Sequence, residues 1–211
     1  MTQYHINSLF PSTVMEAQYT GWREEDTALA KKLLESPCRG VHNWNSQDTY
    51  ILNSHFPDLR KFIEDAIQVY AEHTIIGDKF DKSEYDFRIT QSWINLCKGS
   101  SFGHHRHTHV NSVISGVFYI QVNEGTDAVE FDDGVKPDTI MLIPKQLNDF
   151  NSPSWKLKVK NGQLIVFSSR LNHCVPPLES TEDRISLSFN CFPYGDLGTD
   201  KHRSFCELTV N

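Results

Sequence analysis

The hydrophobic period of this chain changes once, near residue 80, and that change limits the folds open to it. Before it, apolar residues recur at helical spacing. In Glu24–Ser36 the side chains of Leu29, Leu33 and Leu34 share a face, with charges opposite. Pro57–Ile76 places Leu59, Phe62, Ile63, Ala66, Ile67 and Tyr70 on one stripe, and Pro57 with Asp58 suits a helix start. The polar, turn-rich stretch GVHNWNSQDTYIL between them leaves room for a short strand at Thr49–Leu52. After residue 80 the period falls to about two. Strands are expected at Asp86–Cys97, Val113–Val122, Ala128–Phe131, Thr139–Leu142, Ser154–Lys158, Gln163–Phe167 and Arg184–Phe192. Turn clusters such as VNEGTD, DDGVKPD and KNGQ separate them. Short strands at regular spacing predict an α+β, mainly β fold, a sandwich or barrel with N-terminal helices packed outside.

A length of 211 residues suits one domain, with 1–80 as helical support and 81–211 as the β core. With 38% hydrophobic and 22% charged residues the composition is that of a globular protein. No apolar run approaches the roughly 18–20 residues of a membrane span, and the N-terminus lacks the pattern of a secretory signal, so a cytoplasmic location is expected. A formal charge of −7 makes nucleic acid an unexpected partner. The five cysteines are widely spaced and contain no C-x-x-C pair, which reads as reduced thiols.

Histidines carry the chemistry. Four of the ten fall within GHHRHTH, Gly103–His109. In an extended segment side chains alternate faces, so His105, His107 and His109 are expected on one side and His104 on the other. Two imidazoles at i and i+2 can share one metal ion, and a third ligand must come from a distant strand. His173 is the best candidate, because it follows the apolar strand QLIVF and precedes a proline turn. Downstream, RISLSFN alternates strictly, which sets Arg184, Ser186, Ser188 and Asn190 against Ile185, Leu187 and Phe189. An arginine on a buried face is costly unless an anion meets it, and its planar fork suits a carboxylate. A histidine metal site is thus followed, eleven residues past His173, by a carboxylate clamp.

At this point the chain resembles the Fe(II)/2-oxoglutarate oxygenase superfamily, whose pattern is H-x-D/E, a distal His, and an Arg or Lys roughly ten residues later. The matching positions are His107, His109, His173 and Arg184, and SGVFYIQV (Ser115–Val122) resembles the strand after the first metal motif. More narrowly it is similar to a family of 2-oxoglutarate oxygenases of phages and bacteria. That family's ordered motifs correspond to Ser8–Val14, Ser92–Asn95, His107–His109, Ser115–Tyr119, His173 and Arg184–Asn190. The resemblance implies a double-stranded β-helix (jelly-roll) core, Fe(II) at the three histidines, and 2-oxoglutarate with its far carboxylate on Arg184, assisted by Ser186. It implies a hydroxylase-type dioxygenase that consumes O₂ and releases succinate and CO₂, acts on a small molecule or peptide, and can form a homodimer. Asn95 and Tyr119 are further candidates for cofactor contact, with core packing the alternative for each.

One position departs from the superfamily pattern: residue 109 is histidine where a carboxylate is expected. Either His109 is the ligand, or a carboxylate such as Asp132 or Asp133 completes the site. Three neutral imidazoles leave the metal more positive, which keeps a cupin-like dioxygenase that ignores 2-oxoglutarate in play. A non-catalytic metal-binding jelly roll is the other alternative. Trp93 is expected in the core, His105 in solvent, and Arg106 and Arg170 are available to an anionic substrate.

Overall fold

The computed structural model describes residues 3–7, 9–39, 43–77, 85–132, 134, 143–148, 150–198 and 203–208. The expected strand Thr139–Leu142 and Asp133 lie outside the described residues. The chain opens with strand β1 (Val14–Gln18) and helix α1 (Glu24–Lys32), followed by short strands β2 (Cys38–Arg39) and β3 (Trp44–Asn45). Helices α2 (Ile51–Ser54) and α3 (Pro57–Ala71) come next, and α3 runs into a π-helical turn, Glu72–Ile76. The β core follows as β4 (Tyr85–Cys97), β5 (His104–His107), β6 (Ile114–Gln121), β7 (Ala128–Asp132) and β8 (Ser154–Lys158). It continues with β9 (Gln163–Ser168), β10 (Asn172–Val175), β11 (Arg184–Leu197) and β12 (Cys206–Leu208).

These strands form two antiparallel sheets, the jelly-roll arrangement. The larger runs β1-β9-β6-β11-β4-β3-β2 with β12 on β11, and the smaller runs β5-β10-β7-β8. The larger sheet lies in the middle of three layers. One face receives Leu59, Ile63 and Ile67 of α3 against Ile94, Leu96, Phe118, Leu164, Ile185, Leu187 and Phe189. Its other face turns Tyr119, Ile165 and Phe167 toward Val129 and Phe131 of the smaller sheet. Residues 184–189 are therefore buried on both faces, and the alternation of RISLSFN sorts them between an apolar layer and a polar interior. No helix among the described residues is long and apolar enough to cross a membrane.

The predicted helix faces are found as expected, with all six stripe residues of α3 in or against the core. Asp26 accepts the backbone N–H of Arg23 at 3.0 Å and secures the start of α1. Two local readings are corrected. Thr49–Leu52 is no strand: Asp48 Oδ1 accepts the Tyr50 N–H at 2.7 Å and buried Ser92 Oγ accepts the Leu52 N–H at 2.9 Å, which starts α2. The N-terminal segment also supplies sheet as well as helix. The five residues VMEAQ pair with β9 from Val14↔Phe167 to Gln18↔Gln163, an edge too short and weakly patterned to be read in advance.

Gly116 shows how closely the layers approach. It lies opposite Phe189, and a Cβ there would come within 2.4 Å of the Phe189 ring and 2.7 Å of the Ile165 carbonyl oxygen. Only glycine lets that ring lie across the neighbouring strand.

Candidate metal centre

The smaller sheet brings the histidines together. His173 on β10 pairs directly with His107 on β5, and Phe131 of β7 flanks it on the other side. Beyond the end of β5, the His109 N–H donates to the Ser169 carbonyl at 2.9 Å, which carries the third imidazole to the same place. Ring centroids are 4.3 Å apart for His107 and His173, 5.2 Å for His109 and His173, and 5.3 Å for His107 and His109. One ligand nitrogen from each falls within 4.8 Å of the others, a spacing at which small side-chain shifts would bring all three onto one ion.

Hydrogen bonding decides which nitrogen that is. Nδ1 of His107 meets the His105 carbonyl at 2.8 Å, Nδ1 of His173 meets the Leu171 carbonyl at 3.0 Å, and Nδ1 of His109 meets Asn190 Oδ1 at 2.6 Å. All three partners are oxygens that only accept, so each Nδ1 carries the proton and each Nε2 keeps its lone pair. Burial, reinforced by the neighbouring imidazoles, pushes the pKa of His173 down to about 3, and burial also lowers that of His109. Neutral imidazole is the ligating form. The donor set therefore fits a divalent metal ion.

Asp132 is not part of this group. Its neighbour Phe131 packs on the His173 ring at 5.9 Å, so alternation sends Asp132 to the outer face. There it accepts from Asn172 Nδ2 at 3.0 Å and forms an ion pair with Arg106. Arg106 also pairs with Glu130 at 2.8 Å, so it is committed to the outer face rather than available to a substrate. Alternation itself fails in GHHRHTH. A bulge separates the pairs His173↔His107 and Val175↔His104, which brings His104, not His105, beside His107 with ring centroids 4.4 Å apart. His105 is exposed.

Arg184 lies in the polar interior, only 2% exposed, with its guanidinium 5.3 Å from the centroid of the Tyr119 ring. The Tyr119 hydroxyl and the Cys97 thiol are within hydrogen-bonding reach of it, and both are neutral. Burial pushes the Tyr119 hydroxyl up to about 12 even with Arg184 acting against the rise. Among the described residues no carboxylate pairs with Arg184, and its buried Nε has no partner. Ser186 sits between Tyr119 and Asn95 in the strand register and is buried. A buried guanidinium with an unpartnered donor is suited to an anion.

Asn95 lines the cavity beside the histidines and is also bonded within the protein. Its Oδ1 accepts from Asn45 at 2.7 Å, Trp93 Nε1 at 3.0 Å and Asn43 at 3.1 Å, and its Nδ2 donates to Ser188 Oγ at 2.8 Å. The Trp93 indole held this way is half-buried and stacks on His109, with centroids 6.2 Å apart and planes 28° from parallel. It is thus part of the site rather than the core. Sequence alternation carried the signal, since Gln91, Trp93 and Asn95 share the polar face of β4. A cavity of about 720 Å³ opens beside His107 and His109, between Trp93 and the loop after β5, and none of its described lining residues is Asp, Glu, Lys or Arg.

Residues 91–190, which contain the three histidines and Arg184, match a family model described as "Putative 2OG-Fe(II) oxygenase". No curated protein matches the sequence. Among solved structures, the chain is similar to the non-heme alpha-ketoglutarate-dependent epimerase SnoN from nogalamycin biosynthesis. The TM-score there is 0.59 at 14% identity, over 95% of this chain and 92% of that one. A prolyl-4-hydroxylase of Pseudomonas putida matches at TM-score 0.51 and 17% identity, covering 85% and 92%. HygX of Streptomyces hygroscopicus, solved with nickel, 2-oxoglutarate and hygromycin B, matches at 0.53 and 10%, covering 95% and 93%. The family match thus covers the site-bearing segment, just under half of the chain, and the fold is shared with these solved structures along most of its length.

Proposed function

We propose that this protein is an Fe(II)- and 2-oxoglutarate-dependent oxygenase of the hydroxylase type, with residues 1–211 acting as one domain. Nε2 of His107, His109 and His173 would hold the metal, and Arg184, with Ser186 and Tyr119, would hold the far carboxylate of 2-oxoglutarate. The single observation that carries this reading is the buried Arg184 guanidinium. It has an orphaned Nε, neutral neighbours and, among the described residues, no pairing carboxylate. A purely structural metal site would have no use for it.

Bound iron and 2-oxoglutarate would supply the oxidising chemistry, in which O₂ and 2-oxoglutarate yield succinate and CO₂ while substrate is oxidised. The chain's own residues orient and enclose. Three Nδ1 acceptors hold the imidazoles in one tautomer, which keeps their Nε2 lone pairs available without reorganisation. Phe131 and Phe167 pack on His173 at 5.9 and 4.7 Å and shield it from water. The cavity beside His107 and His109 would receive the substrate, and its lining, without a described Asp, Glu, Lys or Arg, suits a group without net charge.

An anaerobic titration of the Fe(II)-loaded protein with 2-oxoglutarate, followed through the weak visible metal-to-ligand charge-transfer band, tests the reading. The band saturates in wild type and weakens in Arg184→Ala and His109→Ala. Metal binding without any band would favour the second reading, a three-histidine dioxygenase that ignores 2-oxoglutarate, for which the all-imidazole donor set speaks.

A further inference from the structure

We propose that Asn190 is the positioning residue of His109: its carboxamide oxygen, held by a buried group of serine hydroxyls, fixes this imidazole as the Nδ1–H tautomer and aims Nε2 at the metal. The inference rests on the reading of the three histidines as a metal centre.

His109 differs from its two partners in where its Nδ1 acceptor comes from. His107 and His173 each use the carbonyl two residues earlier in the chain, a backbone contact that no side-chain substitution removes. His109 stands past the end of β5 and takes its acceptor from β11, 81 residues away in sequence. Its orientation therefore depends on a side chain, and that side chain is built in. Asn190 lies opposite Ser115 in the strand register, and Ser115 Oγ donates to the same Oδ1 at 3.0 Å. Ser115 and Ser169, 0% and 1% exposed, bond each other at 2.7 Å, and Ser169 reaches Ser112 at 2.8 Å. Ser112 is anchored to the backbone of Ile114 and Cys191.

A second restraint acts on the ring face. Trp93 stacks on His109 and is held by Asn95, which donates to Ser188. Ser188 and Asn190 lie two residues apart on one face of β11, so the strand divides its interior residues between two tasks. Arg184 and Ser186 serve the anion site, and Ser188 and Asn190 serve His109. A neutral amide acceptor orients the ring without adding charge, whereas a carboxylate in its place would make the imidazole a more basic ligand.

The test uses the full chain stripped of metal, with ¹⁵N NMR of the His109 side chain to read the tautomer and chelator competition to measure Co(II) affinity. Wild type gives the Nδ1–H signature. Asn190→Leu gives mixed tautomers and Co(II) binding weakened about 10–100-fold. Asn190→Asp keeps the Nδ1–H signature and binds Co(II) at least as tightly as wild type. Asn190→Leu combined with His109→Ala is no weaker than His109→Ala alone. A leucine variant that keeps both tautomer and affinity overturns the inference, as does an aspartate variant that behaves like leucine. Should the leucine variant not fold, the aspartate tautomer decides alone. Unchanged Co(II) affinity in His109→Ala would instead remove His109 from the metal centre, an outcome separate from the tautomer result.

Discussion

Replacing Arg184 by methionine should stabilise the ligand-free protein while destroying its response to 2-oxoglutarate. Arg184 is 2% exposed, has no pairing carboxylate among the described residues and keeps an unpartnered Nε. Exchange of a buried ionic group for an apolar side chain of similar volume is typically neutral or stabilising by about 1–4 kcal/mol. Opposing this is the loss of the contact with the Tyr119 ring at 5.3 Å, a cation–π interaction of about 0.5–2 kcal/mol. The balance runs from a loss of about 1 kcal/mol to a gain of about 3.5 kcal/mol, with the middle of the two ranges on the side of a gain. At about 2–4 °C per kcal/mol for a domain of this size, the ligand-free Tm falls by no more than about 4 °C or rises by up to about 14 °C. With metal present, 2-oxoglutarate at a hundredfold excess over Kd stabilises wild type by about 2.7 kcal/mol and leaves Arg184→Met unmoved. Anaerobic thermal unfolding of both proteins, with and without 2-oxoglutarate, reads both effects. A ligand-free variant that melts more than about 4 °C below wild type would refute the reasoning, because the protein's own groups would then be satisfying the arginine.

Other outcomes follow from the same geometry. Adding Co(II) at a hundredfold excess over Kd should stabilise the metal-free protein by about 2.7 kcal/mol, with loss of that shift in His173→Ala and its reversal by chelator in wild type, read by thermal unfolding. The metal-free protein should lose stability as pH falls from about 6.5 toward 3. His173 stays neutral in the fold down to about 3, whereas the unfolded chain takes up the proton near 6.5. His173→Gln flattens that loss in denaturant titrations at several pH values. Gly116→Ala should cost about 1–3 kcal/mol, because its methyl would press on the Phe189 ring and the Ile165 carbonyl. A shift in the urea midpoint without a change in slope measures it.

The sequence alone determined what depends on local period and residue type. Helical spacing in Pro57–Tyr70 and strict alternation in RISLSFN place each side chain on a face without knowledge of partners, so α3 and β11 were legible. The company of His107, His109, His173 and Arg184 was legible as chemistry, because those residue types in that order suit a metal and a carboxylate.

Tertiary structure decided whatever depends on a partner far along the chain. The bulge opposite His173 and Val175 exchanged His104 for His105 beside His107, and a bulge is a property of two strands in register rather than of one. Asp132 and His109 were both open as ligands until pairing with β10 turned Asp132 outward to Arg106. Asn190 and the serines around it carry no sequence signature. Hydroxyls and amides are ordinary on any strand, and they become a support for His109 only when β6, β9 and β11 lie side by side. A side chain's direction is a local property set by the backbone period, but the atom it meets is set by the pairing of distant strands.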